Sequence, residues 1–149
     1  MIVNERRGNI LNSDCQTVVI TTNCVGVMGK GLAKSARLRH PALYRAYRAL
    51  YLNRMLRVDR PYLVSLPDDQ KFLLFPTKDH WREPSRLEWI ETNLRWIADN
   101  YPKGELVEVT SLAVPPLGCG LGGLDYALVK PLIEQYLHPL SLPVTLYLP

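Results

Sequence analysis

Pro115-Pro116-Leu117-Gly118-Cys119-Gly120-Leu121-Gly122-Gly123-Leu124-Asp125 is the stretch on which the reading of this chain turns. It follows the β-branched run Leu106-Val107-Glu108-Val109-Thr110, read as a strand, and precedes an apolar-periodic segment that ends near Tyr136. Strand, glycine loop and helix in succession can cradle phosphate. Glycines let backbone N–H groups approach an anion, and the helix N-terminus adds a favourable dipole. Four glycines in the six residues 118–123 exceed what one tight turn requires. Taken alone, the stretch reads equally well as a flexible connection, because a glycine loop without context is a weak signal.

The context is a chain that alternates strands and helices. Ile2 to Arg6 reads as a first strand, closed by Gly8-Asn9, and Thr17-Val18-Val19-Ile20-Thr21-Thr22 as a strand buried on both faces. A second glycine-rich loop follows it, Cys24-Val25-Gly26-Val27-Met28-Gly29-Lys30-Gly31, and then a helical pattern through Leu32, Ala33, Ala36 and Leu38. Pro41 suits the first position of the next helix, with Leu43, Tyr44, Tyr47, Leu50 and Tyr51 on one side. Tyr62 to Leu66 and Lys71 to Phe75 flank a turn and predict a hairpin.

A polar loop is expected from Pro76 to Pro84. Ser85 and Glu88 then have capping-box spacing ahead of the stripe Leu87, Ile90, Leu94 and Ile97. Pro131 is expected to open the main body of the last helix, and Pro143 to Leu148 forms a final strand. The order β, β, α (one or two), β, β, α, β, α, β predicts an α/β protein with a mixed sheet and helices on both faces.

At 149 residues the chain is one domain with room for a sizeable core. No apolar run is long enough to span a bilayer, and Met1 to Arg7 lacks the apolar centre of a signal peptide, so the expectation is a soluble, cytoplasmic protein with no membrane partner. The three cysteines, Cys15, Cys24 and Cys119, have neither metal-ligand spacing nor an even count, which argues against a disulfide framework or a zinc site. Cys24 and Cys119, within the glycine loops, read as small fillers beside close-packed backbone rather than as nucleophiles. The net charge of +4 suits an anionic partner such as a nucleotide or nucleic acid. Lys34, Arg37, Arg39, Arg45, Arg48, Arg54, Arg57 and Arg60 carry much of it, as a solvated basic face or a nucleic-acid surface.

Neither glycine loop fits the familiar nucleotide fingerprints. Gly26 to Gly31 lacks the P-loop spacing, and Gly118 to Gly123 matches GxGxxG by letters but lies late in the chain without the downstream acid. Four stretches together resemble another family. Gly8-Asn9-Ile10-Leu11, Asn23 to Gly31, Phe75-Pro76-Thr77-Lys78-Asp79-His80-Trp81-Arg82 and Pro116 to Asp125 are similar to a macrodomain. The similarity covers nearly the whole chain and is greatest to the branch of DNA ADP-ribosyl glycohydrolase antitoxins, related to the terminal ADP-ribose protein glycohydrolase. It implies a central, mostly parallel sheet of about six strands and an ADP-ribose cleft, with ADP-ribose as ligand or product and no cofactor or metal. It also implies that residues 1–149 are the N-terminal macrodomain of a longer antitoxin.

The resemblance distributes roles along the cleft. Asn9 stands where many macrodomains carry an Asp that accepts from the adenine amino group, and Ile10 walls the adenine pocket. Asn23 lies near the distal ribose; Gly26, Val27, Met28, Gly29 and Gly31 wrap that ribose and the diphosphate. Gly118, Cys119, Gly120, Leu121, Gly122, Gly123 and Leu124 supply the second diphosphate loop. Lys78 matches a catalytic lysine, either as a nucleophile toward ribose C1″ or as electrostatic assistance to the departing base. The protein glycohydrolase relative has an Asp at the position of Gly122; the nearest acid here, Asp125, reads better as a helix cap.

His80, Trp81 and Arg82 adjoin Lys78, with Trp81 expected to stack on the target base and Arg82 to contact phosphate. The implied reaction is release of ADP-ribose from thymidine in single-stranded DNA, reversing a toxin ADP-ribosyltransferase that is also the expected partner, through a region beyond this chain. A non-catalytic ADP-ribose reader, a glycohydrolase of modified protein side chains and a contact inhibitor of a toxin are the alternatives.

Overall fold

Alternation along the central strands builds the molecule. In a computed structural model describing Met1–Pro149, β2 (Thr17–Asn23) sends Val18 and Ile20 to one face of a sheet and Val19 to the other. β4 (Lys71–Lys78) does the same with Phe72 and Leu74 against Leu73 and Phe75. Both faces are therefore apolar, and each must be covered by helices. α1 (Gly31–Arg39) and α2 (Pro41–Leu52) cover one, burying Ala36, Leu43 and Tyr47. α3 (Leu87–Asn100) and α4 (Tyr126–Leu137) cover the other, burying Ile90, Leu94, Ile97, Val129, Ile133 and Leu137.

With β1 (Ile2–Arg6), β3 (Tyr62–Ser65), β5 (Leu112–Val114) and β6 (Val144–Tyr147), the sheet has six strands in the order β1-β6-β5-β2-β4-β3. Every neighbouring pair is parallel except β3–β4, the predicted hairpin. The expected mixed, mostly parallel sheet between two helical layers is what the chain forms.

Four local expectations need correction. The strand before the second glycine loop is Leu112-Ala113-Val114, not Leu106 to Thr110. Leu106 and Val109 are buried at a spacing of three while Val107 is exposed, which is the geometry of a turn, and 104–106 is a short 3-10 helix. β4 does not stop at Phe75 but continues through Pro76 and Thr77 to Lys78. Its β3 partners end at Leu74, so the missing N–H of Pro76 interrupts no bond on that side.

Ser85 does not cap α3; Arg86 holds that position without a side-chain bond, while the Ser85 N–H donates to the Gly122 carbonyl oxygen at 3.0 Å. Pro131 lies inside α4 rather than opening it. Asp125 is the N-cap, its carboxylate accepting from the Ala127 N–H at 3.0 Å. Pro131 gives up one helical bond on an exposed face, flanked by the fully buried Val129 and Ile133.

Candidate functional site: a cleft at the carboxyl ends of the strands

Parallel strands send their carboxyl ends, and the loops after them, to one edge of the sheet. There β2, β4 and β5 open into a cleft of about 1190 Å³. The loop after β2 contributes Val27, Gly29, Lys30 and Gly31; the loop after β5 contributes Pro115, Pro116 and Gly118 through Gly123; the loop after β4 contributes Trp81 through Ser85. The strand ends themselves supply Thr21, Thr22, Asn23, Thr77 and Lys78. Leu32, Ala33 and Pro149 complete the lining.

The first glycine loop is organised by Asn23. Its amide Nδ2 donates to the Val27 carbonyl oxygen at 2.8 Å, and Oδ1 accepts from the Val25 N–H at 3.1 Å and the Val27 N–H at 3.3 Å. The Tyr47 hydroxyl, buried beneath, lies 2.5 Å from the Asn23 carbonyl oxygen and 2.8 Å from Oδ1. Burial pushes the Tyr47 phenol well above its ordinary range, which keeps it a donor. At Gly26 the backbone has φ +73°, and a Cβ would stand 2.8 Å from the Tyr51 ring and 2.9 Å from Arg48 Nη1. The loop then enters α1 at Lys30, with no side-chain cap, so the first-turn N–H groups of Gly31 to Ala33, residues that line the cleft, have no side-chain acceptor from the cap. An uncapped helix N-terminus at a cleft favours an anion.

The second loop folds tightly on itself. The Leu124 N–H donates to the Gly118 carbonyl oxygen at 2.9 Å and the Gly123 N–H to that of Gly120 at 3.1 Å. A Cβ at Gly122 would collide with Ser85 Oγ and the Gly118 carbonyl oxygen, so no side chain fits there in this conformation. Ser85 Oγ is buried between these backbones and has no hydrogen-bond partner. Leu121 points outward, 67% exposed, and would lie 3.7 Å from a Cβ at Gly31, so the two glycine loops approach each other across the cleft.

Lys78 arrives at the cleft through a register shift. Thr22 of β2 lies opposite Pro76, but Asn23 lies opposite Lys78, leaving Thr77 as the extra residue. Such a bulge re-aims a side chain. Here it sets Lys78 beside Asn23 at the ends of adjacent strands. Lys78 Nζ donates to the Trp81 carbonyl oxygen at 3.4 Å and to that of Leu121 at 3.3 Å, linking the loops after β4 and β5. Beyond it, Trp81 is 42% exposed; the Arg82 guanidinium lies 4.6 Å over its ring, and the His80 ring stacks at 5.4 Å. His80 Nδ1 accepts from the Arg82 N–H at 3.1 Å.

The cysteines are thiols. Burial, then Asp79 and Asp59, push Cys24 up to about 12. Burial also raises Cys119, whose Sγ donates to the Leu117 carbonyl oxygen at 3.4 Å. Neither is poised as a nucleophile at neutral pH. Asp125 serves as the α4 cap and does not line the cleft.

Of the residues singled out from sequence, the fold gathers Asn23, Val27, Gly29, Gly31, Lys78, Trp81, Arg82 and Gly118 through Gly123 around one cleft. Asn9, Ile10, Gly26, Met28, His80 and Leu124 lie outside its lining. Ile10 and Met28 are core residues, and Asn9 Oδ1 accepts from the Leu11 N–H at 3.0 Å as the cap of a short 3-10 turn. Sequence reasoning passed over Thr21, Thr22, Thr77, Glu83, Ser85, Pro115 and Pro116. The carboxyl-end rule for parallel strands was the available signal for the residues at the ends of β2, β4 and β5.

The basic stretch is partly spent internally. Arg57 pairs with Asp59, Arg60 pairs with Glu105 at 2.8 Å, and Arg48 donates to the Gly26 carbonyl oxygen at 3.3 Å. Lys34, Arg39, Arg45 and Arg54 remain exposed.

A six-stranded mixed sheet between helical layers, with two glycine loops closing on a cleft at its strand ends, defines the macrodomain class, and the comparisons agree. The macrodomain of Thermus aquaticus DarG superposes with a TM-score of 0.89 at 35% identity, covering 98% of this chain and 97% of that one. The macrodomain of Mycobacterium tuberculosis DarG does so at 0.88 and 33%, covering 100% and 98%. The chain belongs to the family of DarG macrodomains. A DNA ADP-ribosyl transferase–DNA ADP-ribosyl glycohydrolase fusion protein of Thermosipho africanus is 41% identical over 95% of this chain and 40% of its own length. The structure of that organism's DarTG in complex with ADP-ribose has a TM-score of 0.88, with the same coverage. The chain thus spans well under half the length of this curated relative; for the Thermus aquaticus DNA ADP-ribosyl glycohydrolase the share is 38%. No family model matches the sequence.

Proposed function

We propose that this macrodomain is a DNA ADP-ribosyl glycohydrolase that removes ADP-ribose from thymidine in single-stranded DNA, reversing modification by a toxin ADP-ribosyltransferase. The observation that carries the reading is the bulge in β4, which sets Lys78 beside Asn23 at the end of a cleft otherwise lined by glycine backbone. The names of the Thermosipho africanus and Thermus aquaticus relatives, and the ADP-ribose in the Thermosipho africanus complex, support the same substrate class.

In this reading the diphosphate lies between the N–H groups of Gly31 to Ala33 and the loop of Gly118 to Gly123. Asn9, with one lone pair of Oδ1 still free, accepts from the adenine amino group, and Ile10 backs the adenine. Asn23 holds the Gly26–Gly31 loop, including Val27, Met28 and Gly29, around the distal ribose. Lys78 acts at C1″. Of its two roles we take the electrostatic one, in which Nζ, held by the Trp81 and Leu121 carbonyl oxygens, steadies the electron pair that leaves with thymine. Trp81 stacks on the target base and Arg82, with His80 behind it, contacts phosphate.

Exposed Lys34, Arg39, Arg45 and Arg54 add a salt-sensitive attraction for the strand. The Thermosipho africanus fusion supports a toxin transferase as partner; this macrodomain is taken, as part of the same proposal, to be the N-terminal domain of a longer antitoxin. Its substrate being the cell's own DNA, the macrodomain acts in the cytoplasm, in DNA repair.

The test measures ADP-ribose release from thymidine-modified single-stranded DNA and from ADP-ribosylated protein, using wild type, Trp81→Ala and Arg82→Ala. Release from DNA, weakened in both variants through KM, is expected. Release from protein alone, or ADP-ribose binding without release from either, contradicts the proposal.

A further inference from the structure

We infer that Glu83 is the general base of the proposed hydrolysis, the group that takes the proton from the attacking water. This rests on the glycohydrolase reading above. Hydrolysis needs a proton acceptor within the cleft, and the lining offers few. Its other polar side chains are the Asn23 amide, four hydroxyls, the Cys119 thiol and the cations Lys30, Lys78 and Arg82. Asn23 is committed to the first glycine loop, and the Cys119 thiol is pushed up by burial and donates to a carbonyl. The acids and imidazole nearest in sequence are spent or displaced: Asp125 caps α4, while Asp79 and His80 do not line the cleft. Glu83 is the one side-chain carboxylate that does.

Glu83 is exposed at the cleft, where solvent water reaches it. None of the chain's ion pairs engages Glu83, although the cations Lys78 and Arg82 share its cleft. Its N–H donates to the His80 carbonyl oxygen at 3.1 Å, closing the turn whose Trp81 carbonyl holds Lys78 Nζ. An unpaired carboxylate opposes diphosphate binding, so its presence in an anion cleft points to use at the sugar end, where Lys78 lies. In the step, the water oxygen forms the bond to C1″ while one of its protons passes to the Glu83 carboxylate. The C1″–N bond breaks with its electron pair going to thymine, steadied by the Lys78 ammonium. The proton on Glu83 then returns through solvent to the thymine nitrogen.

The test compares wild type, Glu83→Gln, Glu83→Asp and Glu83→Ala on thymidine-modified single-stranded DNA, with ADP-ribose affinity measured by calorimetry. For Glu83→Gln, kcat is expected to fall about 100-fold or more with KM and ADP-ribose affinity preserved. Glu83→Asp recovers part of the rate, and added formate rescues Glu83→Ala. A Glu83→Gln kcat within about threefold of wild type overturns the inference, as does a rate loss matched by an equal loss of ADP-ribose affinity, the mark of a binding or structural role. Failure of wild type itself to release ADP-ribose overturns the glycohydrolase reading instead.

Discussion

A Cβ at position 122 would meet the Ser85 hydroxyl and the Gly118 carbonyl oxygen well inside van der Waals separation. Gly122→Ala therefore forces the second glycine loop off the Ser85 segment. Overpacking of this kind costs about 1–3 kcal/mol, so urea midpoints should fall, and ADP-ribose affinity should fall with them. Unchanged stability would mean that the loop yields freely. Cys24 supplies a pH prediction. Its folded-state value, pushed up to about 12, exceeds the ordinary value of 9.0, so above pH 9 the unfolded chain loses a proton that the folded one keeps. Its stabilisation is complete below pH 9 and lost as pH rises toward 12. Urea unfolding across that range should show falling stability, with a shallower slope in Cys24→Ala. Lys78 was legible at this scale because of its motif; Glu83 was not, because nothing in a polar loop's sequence marks which acid lines the cleft.

Elements decide whether Asp125 belongs to catalysis or to folding. Its carboxylate accepts from Ala127 N–H and starts α4 at Tyr126, five residues before the proline that the sequence nominated as the start. Asp125→Ala should cost about 1 kcal/mol of stability, the usual worth of an N-cap, with ADP-ribose release unchanged. A large loss of release without loss of stability would return Asp125 to the chemistry. The same element shows where sequence patterns mislead. Pro131 reads as a helix start because proline disrupts a helix interior, yet burial of Val129 and Ile133 on either side outweighs one absent bond. Leu106 to Thr110 reads as a strand from its β-branched residues, whereas the true strand is the shorter Leu112-Ala113-Val114, buried throughout. Propensity marked the wrong five residues because burial, not branching, selects a central strand.

Across the whole molecule, strand order turns separate loops into one cleft. β2 lies between β5 and β4, so loops nearly a hundred residues apart in sequence meet at adjacent strand ends. The strand–helix order and the two-sided sheet were readable from alternation and periodicity; the register shift that sets Lys78 beside Asn23 was not, since a bulge leaves no mark in composition. The proposed function separates binding, on glycine backbone, from chemistry, at Lys78 on the end of β4 and on the loop after it. One comparison tests that division directly: Lys78→Ala against wild type, with ADP-ribose affinity by calorimetry beside the rate of ADP-ribose release from thymidine-modified single-stranded DNA. Affinity within about threefold of wild type and a release rate lower by roughly 10³-fold is the expected result. Release at the wild-type rate, or loss of affinity in proportion to rate, would contradict it.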